Sequence, residues 1–137
     1  MIVMTRSEQA QALRDSKEPH YNCCQSVLIP FCERCGISEE AALRMGENFG
    51  SGMRHGGTCG AISGALMALG LAGKGAPETK LFIKQFREAF GRTTCDELLA
   101  QNDGAGVPRK QGCDGMVVWA VEEVERLLDW HNQSHGQ

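Results

Sequence analysis

Four of the seven cysteines in this chain stand directly behind a residue suited to the N-cap of a helix: Asn22 before Cys23, Thr58 before Cys59, Thr94 before Cys95 and Gly112 before Cys113. Gln25 and Glu97 take the third helical position behind two of those caps, which completes capping-box patterns. A thiol in a first turn feels the positive end of the helix macrodipole and amides without intrahelical partners. Both favour the thiolate, the form that attacks disulfides and binds metals. Four such N-termini brought together would pool positive potential around a cluster of thiolates or a metal–thiolate core. The competing reading is that Asn and Thr commonly precede helices and that free cysteine is often a plain core residue. Successive members of the set are 36, 36 and 18 residues apart, but a shift of the chain by 36 brings almost nothing else into register. The separations also exceed the tight local pairs of zinc ribbons and ferredoxin runs, so any metal would be held by residues that tertiary folding brings together.

Cys59 is the sharpest candidate of the four. A glycine-rich run from Phe49 gives way at Thr58 to the small and apolar pattern of a buried helix that reaches Leu71. Thr58 is expected as its N-cap and Cys59 as its first helical residue, with a thiol pKa below the ordinary range. Gly60, Ala61, Gly64, Ala65 and Ala68 leave one side of that helix nearly bare, so another backbone can approach closely. The plainer account is that these small residues only permit tight packing, with Cys59 in the core.

Cys32-Glu33-Arg34-Cys35 is a C-x-x-C, but it falls near a helix C-terminus, where the dipole opposes thiolate, and no histidine follows to suggest haem attachment. It reads as a secondary or incidental pair, and Cys24 as a core residue beside Cys23. Arg54 and His55 are near enough to Cys59 in sequence to stabilise its thiolate, against a plainer role in a solvated loop. Arg109 and Lys110 face either a partner or solvent at a loop tip.

The elements that must position these residues are helical, and no segment alternates with period two. The fold is expected to be all-α, a single-domain bundle of about five or six helices over residues 1–137. Thr5 with Glu8 opens a polar first helix of small core content. Tyr21, Val27, Leu28 and Phe31 mark a second, bent at Pro30 and ended by Gly36. Ser38 starts a third, leading to Phe49. Pro77 opens a helix whose Leu81, Phe82, Phe86, Ala89 and Phe90 are expected to cover the bare face of the central helix. Thr94 opens a short helix, residues 101–112 read as a polar loop, and the last helix carries Val117, Val121, Val124 and Leu128, fraying after Trp130 and His131.

The charge balance, 14 basic against 17 acidic residues, comes with no basic stripe, which excludes nucleic acid as a partner. No run approaches the roughly 18 apolar residues of a membrane span, and the start, MIVMTRSEQA, has no leader pattern. A cytoplasmic protein is expected, and in a reducing compartment seven cysteines point to metal binding or redox work rather than structural disulfides.

Asn22-Cys23 followed by Gln25-Ser26-Val27-Leu28, the block Gly57-Thr58-Cys59-Gly60-Ala61 with Gly64-Ala65-Leu66-Met67, Cys95 before Glu97-Leu98-Leu99, and the late Cys113 together resemble the C-GCAxxG-C-C family of redox-active proteins. The resemblance runs from Tyr21 over nearly all the rest of the chain and places the family's four cysteines, with its CGAxxG motif, at Cys23, Cys59, Cys95 and Cys113. It implies redox activity; members occur beside transporter genes, and a related region in split-Soret cytochromes is associated with an iron centre. Cys24, Cys32 and Cys35 are additions to the pattern, and the haem-binding motifs of those cytochromes are missing. The leading expectation is a four-cysteine metal or iron–sulfur site at Cys23, Cys59, Cys95 and Cys113, iron favoured over zinc, for electron transfer or redox sensing. The alternatives are a metal-free thiol–disulfide oxidoreductase in which Cys59 attacks and another family cysteine such as Cys23 resolves, and a zinc-binding structural or metal-carrying protein. A redox partner protein is expected, and a homodimer is left open.

Overall fold

The computed structural model describes residues 3–135, with side chains to residue 129. Among the described residues eight α-helices follow one another: α1 Arg6–Asp15, α2 Cys23–Leu28, α3 Cys32–Cys35, α4 Glu39–Gly46, α5 Gly60–Leu71, α6 Ala76–Phe90, α7 Cys95–Gly104 and α8 Arg109–His135. A 3-10 turn at Ile29–Phe31 joins α2 to α3. The three pieces make one rod interrupted by Pro30, whose missing amide breaks the ladder. Counted so, there are seven rods against the expected five or six. No strand occurs among the described residues, which bears out the all-α class. Gly36 ends the second rod in the left-handed conformation, at φ 73.

The caps form largely as their chemistry dictates. Thr5 and Glu8 close a full capping box on α1, as do Asn22 and Gln25 on α2, while Ser38 accepts from the Ala41 amide and Thr94 from that of Glu97. α1 contributes Ala10 to the buried core, with Leu13 packed against it, and is tied to α8 by Arg6–Glu125 at 2.9 Å and Arg14–Asp114 at 3.0 Å.

α5 is the centre. Its small-residue side packs on α2, so closely that a Cβ on Gly64 would lie 2.6 Å from the Cys24 carbonyl oxygen, and one on Gly60 would lie 3.1 Å from the Cys23 Cβ. The bare face is therefore real, but α2 and not α6 covers it. The aromatic side of α6 instead surrounds Trp119 of α8, with Phe82, Phe86 and Phe90 all within 5.5–5.7 Å of its ring. The reason is shape: bulky rings need a partner that can be enclosed edge to face, while a glycine–alanine face is best filled by another backbone.

The polar loop expected at 101–112 shrinks to residues 105–108. Gly106, at φ 73, ends α7, with its amide on the Asp103 carbonyl and that of Val107 on the Asn102 carbonyl, the hydrogen-bond pattern of a Schellman motif. Pro108 then caps α8, its carbonyl accepting from the Gly112 amide at 3.0 Å. Gly112 is thus inside the helix and not its cap, and Cys113 sits in the second turn. α8 keeps helical backbone to His135, beyond the expected fraying point; the side chains from Trp130 onward lie outside those described.

Candidate redox site

Three helix starts and the second turn of α8 bring cysteines to one place. Cys23 and Cys95 are the first residues of α2 and α7, each behind its formed cap. Cys59 is one position earlier than expected: it is the N-cap of α5, with extended dihedrals (φ −54, ψ 134), and Gly60 is the first helical residue. Thr58 does not cap. Its backbone pairs antiparallel with Thr94, and the flanking bonds, Cys59 amide to the Thr93 carbonyl at 2.9 Å and Cys95 amide to the Gly57 carbonyl at 2.7 Å, hold the two cysteines side by side.

Above them the loop from Gly50 to Gly57 is strained. Ser51, Met53 and Arg54 all have φ between 54 and 65, the left-handed region that costs a non-glycine residue about 1 kcal/mol or more. Gly52 is the position where only glycine fits, because at φ +62 a Cβ would come within 2.4 Å of the Gly57 oxygen and 2.8 Å of the Cys95 Cβ. The loop is pressed onto the cysteines by this contact. Arg54 turns away from Cys59 to the Glu47 carbonyl and Asn48, and His55 is exposed, so neither supports a thiolate there.

Beneath the loop, Cys23, Cys59, Cys95 and Cys113 all line one small cavity of about 20 Å³, closed by Ser51, Leu98, Leu99 and Met116. That is room for about one water molecule. Neither Cys32 nor Cys35 reaches it: Cys32 Sγ lies 3.7 Å from the Ser38 carbonyl and Cys35 Sγ 3.6 Å from that of Ala68. Cys24 is fully buried, 3.8 Å from the sulfur of Met67 in α5.

The electrostatics single out one of the four. Burial pushes the Cys59 thiol up to about 11 even though the amides of Ala61 and Ile62 point at it and pull the other way. The expectation of a low pKa at Cys59 is thereby corrected: dipole and free amides are present, but desolvation outweighs them. Burial likewise raises Cys95, helped by the neighbouring Cys113. Cys23 is raised, first by its S–H contact with Cys113 and then by burial. Cys113 moves in the opposite direction, down to about 6, because the Cys23 thiol donates to its sulfur and the guanidiniums of Arg14 and Arg109 pull the same way, against burial and the Asp114 carboxylate. Of the four, Cys113 is the one whose surroundings favour the thiolate, with the Cys23 thiol as its donor.

Arg14 is itself fixed by Asp114 and by the Tyr21 carbonyl, 3.0 Å from each. Asp114 further accepts from Gln11 at 2.9 Å and Lys110 at 2.6 Å. These supporting residues are not apparent in the local sequence, where Arg109 and Lys110 read as a loop tip. The legible signals were spacings on α8: Arg109 lies four residues before Cys113, and Lys110 four before Asp114. Nothing local pointed to Arg14.

As donors, four thiols suit a soft metal or an iron–sulfur cluster. Their placement does not: among the described residues no group of three or more Cys, His, Asp or Glu side chains is gathered so as to hold a metal ion.

Compared with known proteins, residues 21–127 match the model of a family described as "Putative redox-active protein (C_GCAxxG_C_C)". No curated protein and no solved structure matches the chain.

Proposed function

The chain belongs to the C_GCAxxG_C_C family, described as redox-active, and on that premise we propose that it works by reversible oxidation of a Cys23–Cys113 dithiol in the wall of the four-cysteine cavity. The observation that carries this is the placement of the pair: Cys23 and Cys113 line both the small cavity and its open outer side, with the guanidiniums of Arg14 and Arg109 beside them to favour a thiolate at Cys113. Cys113 is the nucleophile and Cys23 the resolving thiol; closing the disulfide releases two electrons and the remaining proton. Cys59 and Cys95, held as neutral thiols by burial, shape the pocket and are not the attacking groups. The resting position of the proton on Cys23 supports this division, since a buried thiol is a poor first nucleophile and a good second one once its partner is modified.

The test is mass-spectrometric mapping after reduced protein is treated with a stoichiometric disulfide oxidant. A Cys23–Cys113 linkage as the main product supports the reading; oxidation that leaves these two cysteines free refutes it.

A second reading is a metal ion or iron–sulfur cluster at Cys23, Cys59, Cys95 and Cys113, iron over zinc, supplying one-electron transfer. It is favoured by all four cysteines lining one small cavity, and it requires the sulfurs to draw together. Iron, sulfide and zinc content of anaerobically purified protein, with its visible spectrum, separates the two. No helix among the described residues is long and apolar enough to cross a membrane. A cytoplasmic location, a redox protein as partner, and a single domain over residues 1–137 complete the proposal.

A further inference from the structure

The small cavity is not the only space that meets the cysteines. On its outer side a larger open groove of about 670 Å³ runs between the end of α1, the segment that follows it, and the starts of α2 and α8; Cys23, Cys95 and Cys113 form part of its wall, while Cys59 does not reach it. That volume is in the range of small-molecule sites. Its charge is one-sided. Arg14, Lys17, Arg109 and Lys110 line it against the single carboxylate of Asp15, in a chain whose formal charge is −3. Arg14 and Lys110 are engaged by Asp114, with Asp15 also on Lys110, but Lys17 and Arg109 make no ion pair among the described residues and are exposed. Two cations without a carboxylate partner thus stand on different elements of a groove whose wall carries the reactive thiols.

Resting on the dithiol reading above, we propose that this groove is the binding site of a small anionic disulfide, its carboxylates held by Lys17 and Arg109 while its sulfur–sulfur bond lies over Cys113. The step balances as ordinary exchange. The Cys113 sulfur forms a bond to one sulfur of the disulfide, the disulfide bond breaks, and the first thiolate leaves with the bonding electrons and takes the Cys23 proton. The Cys23 sulfur then bonds to Cys113, and the second thiolate leaves and takes a proton from water. The small molecule is reduced by two electrons to two thiols, and the protein dithiol is oxidised to the Cys23–Cys113 disulfide. Cys59 has no access to the groove, which is why it takes no part in the exchange.

The experiment measures the second-order rates at which reduced protein reacts with three disulfides: oxidised glutathione (anionic), 2-hydroxyethyl disulfide (neutral) and cystamine (cationic). Each is divided by the rate of the same disulfide with free 2-mercaptoethanol, which removes intrinsic reactivity. The expected result is a normalised preference for the anionic over the cationic probe of about tenfold or more at low salt, shrinking as salt is raised. Lys17→Glu, remote from the sulfurs, should lower the anionic rate several-fold and leave the neutral one within about twofold. Equal normalised rates for all three probes, with the Cys23–Cys113 linkage still formed, overturn the groove assignment alone. The same holds if Lys17→Glu slows the three equally. Absence of the linkage with every probe, while Cys113 remains open to alkylation, overturns the dithiol reading and the groove with it.

Discussion

Replacing Cys23 by alanine should raise the pKa of Cys113, and the size of the effect follows from the causes at that sulfur. With a value of about 6, some nine-tenths of Cys113 is thiolate at pH 7, whereas at the unperturbed value of 9.0 the fraction is about one-hundredth. The Cys23 thiol is the largest favourable influence, so its loss moves the midpoint upward, leaving burial and the Asp114 carboxylate opposed by Arg14 and Arg109. In the limiting case the thiolate fraction at pH 7 falls about ninetyfold, but a thiolate whose pKa is higher by about 3 is roughly twentyfold more nucleophilic, given a Brønsted slope near 0.45. The net rate at pH 7 then drops only about fourfold, and above about pH 7.7 the variant becomes the faster of the two. The midpoint is therefore the informative quantity. It is read by iodoacetamide labelling of Cys113, mapped by mass spectrometry from about pH 5 to 10: in the parent protein the rate rises through about pH 6 and then levels, and in Cys23→Ala the rise comes later. Cys23→Ser, which keeps a hydroxyl donor, should return the midpoint part of the way. An unchanged midpoint in Cys23→Ala would refute the claim that the facing thiol sets the charge on Cys113.

Asp114→Ala removes one partner of a pair whose side chains are only 11% and 9% exposed, and stranding Arg14 should cost about 3 kcal/mol in denaturant unfolding. Burial alone would raise the Asp114 carboxyl, but Lys110, Gln11 and Arg14 hold it below the usual carboxylate range. Its contribution is thus present above that range and lost as pH falls through the lowered value, so Asp114→Ala should flatten the acid side of the stability curve. Gly64→Ala already puts a Cβ 2.6 Å from the Cys24 carbonyl oxygen, so it should lower the melting temperature, by about 1 to 3 kcal/mol in free energy; an unchanged value would show that α2 and α5 can part freely. Gly52→Ala should destabilise the protein and increase labelling of Cys95, because its Cβ would fall 2.8 Å from the Cys95 Cβ on a left-handed backbone. Thr58→Ala should change stability by less than about 0.5 kcal/mol, since Thr58 contributes its backbone and caps nothing; a loss near the 1 kcal/mol of an N-cap would restore the capping role.

The helices and two of the four cysteine placements were legible in the sequence because they are written in local chemistry. Asn22 with Gln25 and Thr94 with Glu97 need only each other to start a turn, so Cys23 and Cys95 are first residues of their helices, as their neighbours dictate. Pro30 and Gly36 act on the backbone they belong to, and the glycine–alanine side of α5 announces that something packs closely there. What packs there is not local, and α2 prevailed over α6 because the rings of α6 found Trp119, far along the chain. Thr58 lost its capping role to a backbone pairing with Thr94, and Cys113 took its place from a cap at Pro108 that makes Gly112 interior. The charge state was least legible of all. A helix N-terminus is visible in sequence, but burial is not, and at Cys59 desolvation overturns the dipole. The surroundings that favour a thiolate are instead those of Cys113, because tertiary packing brings a thiol 90 residues earlier in the chain and the guanidinium of Arg14 to its sulfur.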